Sequence, residues 1–296
     1  MDYYNEIKNE LVNNEINKSI KDYSKNKYEL QRYYNVGKLL LEAGNQYGEN
    51  IIGKYADKLT FDVGKKYDKS TLFKIRKFYL IFSDKKVAPL APQLSWSHCL
   101  ILLPLKDINK INYYMQQISK RNLSKRQLQE IIKLKEYERL SDDTKRKLIE
   151  RKNMDVADLV KNPIMIRDNS GHEIISEKIL QKIILEDIPS FLEELGEGFT
   201  FIKNEYPIKL GDRYNYIDLL LFNIEYNCYV VVELKVTELK KEHIGQIQVY
   251  MNYIDENLKK VNHDKTIGII ICKQDDEYII KYCSDDRIIS RRYELV

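Results

Sequence analysis

Apolar positions in the first part of the chain recur at helical spacing. Residues 7–44, IKNELVNNEINKSIKDYSKNKYELQRYYNVGKLLLEAG, read as helix with Gly44 as a stop. A second helix is expected over IIGKYADKLTFDVGKKY, residues 51–67. In DKSTLFKIRKFYLIF, Asp68, Ser70 or Thr71 can cap a third helix. Leu72, Ile75 and Tyr79 would share its apolar face, and Lys74, Arg76 and Lys77 fall on its polar side. Helix, helix, cap and basic helix fit a helix-turn-helix order. They also fit an ordinary helical bundle. APLAPQLSWSHCLILLPL follows, with two prolines marking a loop and Ser95 or Ser97 capping a short helix. Residues 107–140 give two more helices, divided near Asn122–Ser124.

From Leu140 to Gly171 the periodicity fades into charged, mixed sequence, and a domain boundary is expected at 150–165. The domains would be 1–155, helical and basic, and 156–296. In the second, EIISEKILQKIILEDIPSFLEELGEG reads as helix kinked or split at Pro189. Strand-like runs follow: FTFIKNEYPI, YNYIDLLLF and NCYVVVELKV. Next come a helix, ELKKEHIGQIQVYMNYIDENLKK, and two runs read as strands, KTIGIIIC and YIIKYC. Strand, helix and an apolar second strand point to a crossover in a mixed sheet.

Composition narrows the setting. The N-terminal stretch is polar and charged, with no recognisable secretory leader. The apolar runs are far shorter than the ~20 residues a spanning helix needs. The four cysteines and four histidines are scattered, which argues against a disulfide framework or a zinc site. A cytoplasmic location, with no membrane partner, is expected. The net charge of +4 hides an asymmetry: residues 1–150 carry +10 and the remainder −6. A basic first half favours a polyanionic partner, although any single lysine cluster also reads as a solvated helix face.

The charges that stand out lie inside the most apolar segment, YNYIDLLLFNIEYNCYVVVELKV. Glu233 and Lys235 are two apart, so on one strand they share a face. A two-residue turn at Glu225–Tyr226 would put Asp218 directly opposite Glu233, on that same face, whereas a slip of one residue would separate them. Two carboxylates brought together repel unless a cation joins them. Mg²⁺ suits such a pair because it takes hard oxygen ligands from one or two carboxylates and keeps several waters. With a lysine beside it, such a site is suited to hydrolysing a phosphodiester. On the following helix, Gln246 and Tyr250 are four apart and share a stripe, with His243 and Tyr253 close to it. The residues alone leave two readings open, a structural ion-pair cluster and a metal-dependent nuclease site.

Asp, then E-x-K on the next strand, then Q-x-x-x-Y on the following helix resembles the PDDEXK nuclease superfamily in its Q-x-x-x-Y branch. More closely, the chain resembles the YhcG-type family, through FLEELGEGFTFI, YNYIDLLLF, YVVVELKV, GQIQVYMNYID and TIGIIIC. In the first half YYNVGKLL, STLFKIRKFY and LSWSHCLILL fit that family's N-terminal domain. The resemblance implies an α/β restriction-endonuclease-like mixed sheet flanked by helices, preceded by an all-α helix-turn-helix or winged-helix-like DNA-binding domain. It implies a Mg²⁺-dependent nuclease, with Mn²⁺ as a substitute; an endonuclease acting on DNA in defence, restriction or repair is the expectation, and RNA stays open as a substrate because nothing in the sequence reads the sugar. A homodimer is the expected assembly, since cutting both strands of a duplex usually needs two sites. Asp218 and Glu233 would bind metal together with the Leu234 carbonyl, Lys235 would be the catalytic lysine, and Gln246 and Tyr250 would match the helical motif. Glu177 is the preferred first-helix carboxylate over Glu186, although Gln181 stands where a carboxylate would also fit. Ile217 replaces the proline of the superfamily's name. Lys74, Arg76 and Lys77 are the expected DNA contacts. The alternative is a catalytically silent nucleic-acid-binding or scaffold protein with a nuclease fold.

Overall fold

The computed structural model describes residues 2–19, 25–48, 50–84, 87, 94–169, 171, 174–283 and 285–296. Two compact units divide the chain, Met1–Tyr137 and Glu138–Val296.

Among the described residues of the first unit, all regular structure is helical: α1 (Tyr3–Ser19), α2 (Lys25–Tyr47), α3 (Asn50–Asp62), α4 (Lys69–Phe82), α5 (Trp96–Leu102), α6 (Ile108–Arg121) and α7 (Lys125–Lys133). Among these described residues there is no strand, so none of them forms the β-wing expected of a winged-helix-like domain. The helix expected over 7–44 is two helices, and it continues through Gly44 to Tyr47. Gly48, at φ 78°, marks its end instead. Gly37 has a different task. A Cβ there would stand 2.6 Å from the Ile75 carbonyl oxygen, so a hydrogen side chain lets α2 cross α4 closely. Asp68 caps α4 by accepting from the Thr71 amide at 2.8 Å. Leu72, Ile75 and Phe78 form its buried face. Tyr79, expected there, is half-buried and meets the Tyr34 ring. Ser95 caps α5 in a capping box with His98, and Asn122 ends α6 in the left-handed region at φ 49°. The proline loop expected before α5 lies outside the described residues.

The second unit comprises α8 (Asp142–Glu150), α9 (Val156–Leu159), β1 (Ile164–Ile166), α10 (Glu177–Glu186), α11 (Ile188–Leu195), β2 (Phe199–Leu210), β3 (Arg213–Asn223), β4 (Cys228–Glu238), α12 (Lys241–Asn257), β5 (Asp264–Gln274), α13 (Glu277–Cys283) and β6 (Ile288–Leu295). The expected boundary at 155/156 therefore lies inside this unit. Side chains that precede the expected boundary explain why. Thr144 and Lys147 of α8 donate to the Asp158 carboxylate at 2.8 and 2.6 Å, and Arg139 pairs with Glu194 and reaches the Pro163 carbonyl.

Six strands form one sheet in the order β1-β6-β5-β4-β3-β2. β1, β6, β5 and β4 pair in parallel, and β4-β3-β2 is an antiparallel meander. The α12 crossover joins the parallel neighbours β4 and β5, which is the mixed arrangement expected. Leu180, Ile183, Ile184, Phe191 and Leu195 of α10 and α11 pack with Leu219, Val230, Val232 and Ile269. Ile244, Ile247, Tyr250, Met251 and Ile254 of α12 pack with Leu220, Val231 and Ile270 in a second core. Pro189 stands in the first turn of α11 and separates it from α10. YIIKYC, expected as a strand, lies in helix α13. The Asp276 carboxylate accepts from the Tyr278 and Ile279 amides at 2.9 and 3.1 Å and starts the turn. The last strand is β6, further on.

Candidate active site

The β3–β4 hairpin runs from a regular, apolar end to an irregular, charged one. Leu219–Asn223 pair with Val232–Cys228 in the register that sets Asp218 against Glu233. The connection is four residues, 224–227, rather than two, but it is centred on the expected place. Asn223 folds it by accepting from the Glu225 and Tyr226 amides at 3.0 and 3.1 Å. The ladder stops at Leu219. Beyond it the Asp218 carboxylate takes the place of a backbone partner, its Oδ2 accepting from the Leu234 N–H at 2.8 Å. This contact through the Leu234 amide adds to the carbonyl role expected for that residue.

Glu233 is 2% exposed and Lys235 is 8% exposed, and the Lys235 ammonium donates to Glu233 Oε2 at 3.3 Å. The other oxygen, Oε1, is buried with no hydrogen-bond partner. Burial first, and the Asp218 charge second, push the Glu233 carboxyl from 4.5 up to about 8. Burial also raises Asp218, against the opposing pull of the Leu234 amide and Lys235. Among the described residues, no three Asp, Glu, His or Cys side chains stand close enough to ring an ion. Two adjacent carboxyl groups whose pKa values burial raises, one with an unpartnered oxygen, nevertheless form the donor set that a hard divalent cation completes.

A nuclease-domain model, "YhcG PDDEXK nuclease domain", matches residues 157–294, and "DUF1016 N-terminal domain" matches residues 8–139. "Putative nuclease YhcG" of Escherichia coli (strain K12) is 22% identical over 269 residues, which cover 79% of this chain and 72% of that protein. The chain belongs to the YhcG-type PDDEXK family. Two solved structures are similar over part of the chain. A repair endonuclease from Pyrococcus abyssi has 21% identity and a TM-score of 0.29, covering 42% of this chain and 49% of that one. An EndoMS–double-stranded DNA complex has 18% identity and a TM-score of 0.29, covering 44% and 48%. In each case the match spans about half of the solved chain.

Around this YhcG-type centre, α10 and α12 supply the flanking side chains. Gln181 is buried and donates from Nε2 to the Asp218 backbone carbonyl at 3.0 Å. Glu177, one turn earlier on the same face, is exposed, and its charge is felt at both Asp218 and His243. Glu186 is at the far end of α10, in a surface pair with Lys182 at 3.8 Å. On α12 the Gln246 amide donates to the Tyr250 hydroxyl at 3.0 Å. Tyr250 is buried, which raises its pKa, and it feels the charges of Glu233, Lys235 and Asp218. In the first unit, Lys74 and Lys77 are exposed on α4, while Arg76 is half-buried over the Phe73 ring at 5.0 Å.

Sequence reasoning passed over Glu205. It falls opposite Asp218 on β2, between the pairs Asn204↔Leu219 and Tyr206↔Ile217. Its φ is 46°, left-handed within a strand, and its charge bears on Asp218. Strand alternation breaks at this pair, because Ile217 and Leu220, three apart, both pack into the α12 core. A non-glycine residue in that conformation costs of order 1 kcal/mol and tends to mark functional sites. No local sequence signal announces it, since β-pairing creates the position.

Proposed function

We propose that the chain is a divalent-metal-dependent endonuclease hydrolysing DNA phosphodiesters, at work in defence, restriction or repair. The observation that carries this reading is the buried, unpartnered Glu233 Oε1 beside the Asp218 carboxylate. In a structural cluster both oxygens would be satisfied. Asp218, Glu233 and the Leu234 carbonyl would hold Mg²⁺, with Mn²⁺ as a substitute. When bound, the ion neutralises phosphoryl charge and makes water a better nucleophile. The chain does the rest. Lys235, fixed on β4 and tied to Glu233, presents an ammonium that orients the attacking water and meets the negative charge building on the phosphate. Gln181 fixes the backbone that aims Asp218. Gln246 and Tyr250 hold one another and offer an amide and a phenol to a phosphate oxygen or to Lys235. Glu177 supplies a further carboxylate at the exposed side. Lys74, Arg76 and Lys77 would contact the DNA backbone, making binding strongly salt-dependent.

The test is cleavage of plasmid, single-stranded and branched DNA with Mg²⁺ or Mn²⁺, beside an EDTA control and the Asp218→Ala variant. Metal-dependent cutting lost in that variant is the expected result. No cutting by the wild-type chain, or equal cutting by the variant, overturns it and leaves a silent nucleic-acid-binding protein.

A further inference from the structure

The tip of the β2–β3 hairpin has two unlike faces. Gly211, at φ 61° in the first turn position, closes it tightly on Leu210↔Arg213. One face carries Ile208 and Ile217, both at 0% exposure, with Tyr206 and Leu210 packed on the same α12 core. The intervening pairs, Lys209↔Tyr214 and Pro207↔Tyr216, form the other face, and all four side chains are exposed. Tyr214 is 63% exposed and Tyr216 is 56% exposed. Two apart on one strand, their Cα atoms stand about 7 Å apart on one surface. The next pair is Glu205 with Asp218, where the alternation breaks and the Asp218 carboxylate turns to the Leu234 N–H of β4. The two open rings therefore stand two and four residues before Asp218 on the same strand.

The cations on this strip define its occupant. Lys209 is the cross-strand partner of Tyr214 on this face, Lys203 lies beyond Glu205, and Arg213, paired with Leu210, adds a charge at the turn on the opposite face; all three are exposed. Asp212 is at the turn tip, past the last ring. Aromatic rings interleaved with cations are the means by which proteins hold single strands, since every unpaired base has a π-face to stack while the cations follow the backbone. A duplex keeps those faces inside its own stack. A protein partner could use the tyrosines but would have no need for a strip ending at a phosphodiester site.

We propose that the Tyr214–Tyr216 face binds single-stranded DNA and feeds it to Asp218, so that the substrate class is DNA with an unpaired segment. This rests on the nuclease reading of the Asp218 site, and one set of measurements separates the two. Binding of a short single strand and of the matching duplex is followed by fluorescence anisotropy with the full chain in EDTA. A 2-aminopurine placed in the single strand reports stacking. The double variant Tyr214→Ala, Tyr216→Ala should lose about tenfold or more in single-strand affinity, lose the 2-aminopurine quench, and bind duplex as before. The Tyr214→Phe, Tyr216→Phe variant should keep both single-strand signals, which also controls for folding. Unchanged single-strand binding in the alanine variant, an equal loss for duplex, or a phenylalanine variant as weak as the alanine one overturns the proposal. If the rings prove necessary for binding while the wild-type chain cuts nothing in Mg²⁺, the strip stands and catalysis falls. If Asp218-dependent cutting is seen and the rings prove irrelevant, catalysis stands and the strip falls.

Discussion

Each unit buries a glutamate, and the two are satisfied differently. Glu136 in the first unit is 4% exposed. Its Oε1 accepts from the Tyr113 hydroxyl at 2.7 Å, and the Arg121 guanidinium reaches both oxygens at 3.2 Å. Glu233 in the second unit is 2% exposed and has the Lys235 ammonium on one oxygen and nothing on the other. A phenol and a forked guanidinium saturate a carboxylate from fixed directions. A single ammonium beside a second carboxylate does not. The first arrangement locks α6 to the segment that follows α7, and the second is left needing a cation. Burial alone therefore does not identify a site, whereas an unfilled lone pair beside a like charge does.

The largest effect separates the two glutamates by function. Glu233→Gln should lower DNA cleavage by on the order of 10²–10³-fold, the scale of removing one charge-stabilising group. Its thermal stability at pH 7 should change by less than ~1 kcal/mol, because a carboxyl pushed up to about 8 is already mostly neutral there. Glu136→Ala should do the reverse. Leaving Arg121 and Tyr113 without their acceptor should cost about 3 kcal/mol in denaturant unfolding, while the folded fraction cleaves normally. A stability loss shared by both, with cleavage falling only in proportion, would make Glu233 a structural ion pair.

The second effect is a pH dependence that Glu233 should generate. With its folded pKa raised from 4.5 to about 8, the folded state holds the proton more tightly than the unfolded chain. The stabilisation is complete below about pH 4.5 and is lost as pH rises toward 8, at up to about 1.4 kcal/mol per unit. Metal-free protein should therefore show a contribution that falls across that window, and Glu233→Gln should flatten it. A divalent ion must displace the proton, so its affinity should strengthen by up to about tenfold per unit until pH 8. Calorimetric titration of Mg²⁺ or Mn²⁺ across this range checks the sign, and affinity that weakens with rising pH would refute it.

The same contrast explains what the sequence could reveal. Asp218, Glu233 and Lys235 were legible together because strand alternation and hairpin register are local rules, and the pairing Leu219↔Val232 follows that register. The split at Pro189 and the cap at Asp68 are equally local. YIIKYC misled because a short apolar run fits either period, and the deciding cap, Asp276, is a side-chain contact. The unit boundary depends on Lys147 and Arg139 reaching residues 11 and 24 positions away. Glu205 and Gln181 acquire their places beside Asp218 only after strands pair and α10 docks.

The smallest effect concerns Gln246 and Tyr250, which share features with both glutamate clusters. Like the Glu136 group they are mutually hydrogen-bonded, at 3.0 Å, and Tyr250 belongs to a packed core. Like the Glu233 group they stand within electrostatic reach of the carboxylates. Gln246 is half-buried, and a side-chain hydrogen bond is worth only about 1 kcal/mol net. Gln246→Ala should therefore leave the unfolding midpoint within about 1 kcal/mol of wild type. If the amide positions Lys235 or a phosphate, kcat should fall about tenfold, as for outer groups that orient a metal centre. Gln246→Glu should not restore it, because a third carboxylate adds repulsion where the site already has too little positive charge. A variant that loses stability but keeps its kcat would assign the pair to the core, leaving Asp218, Glu233 and Lys235 to act without help from α12.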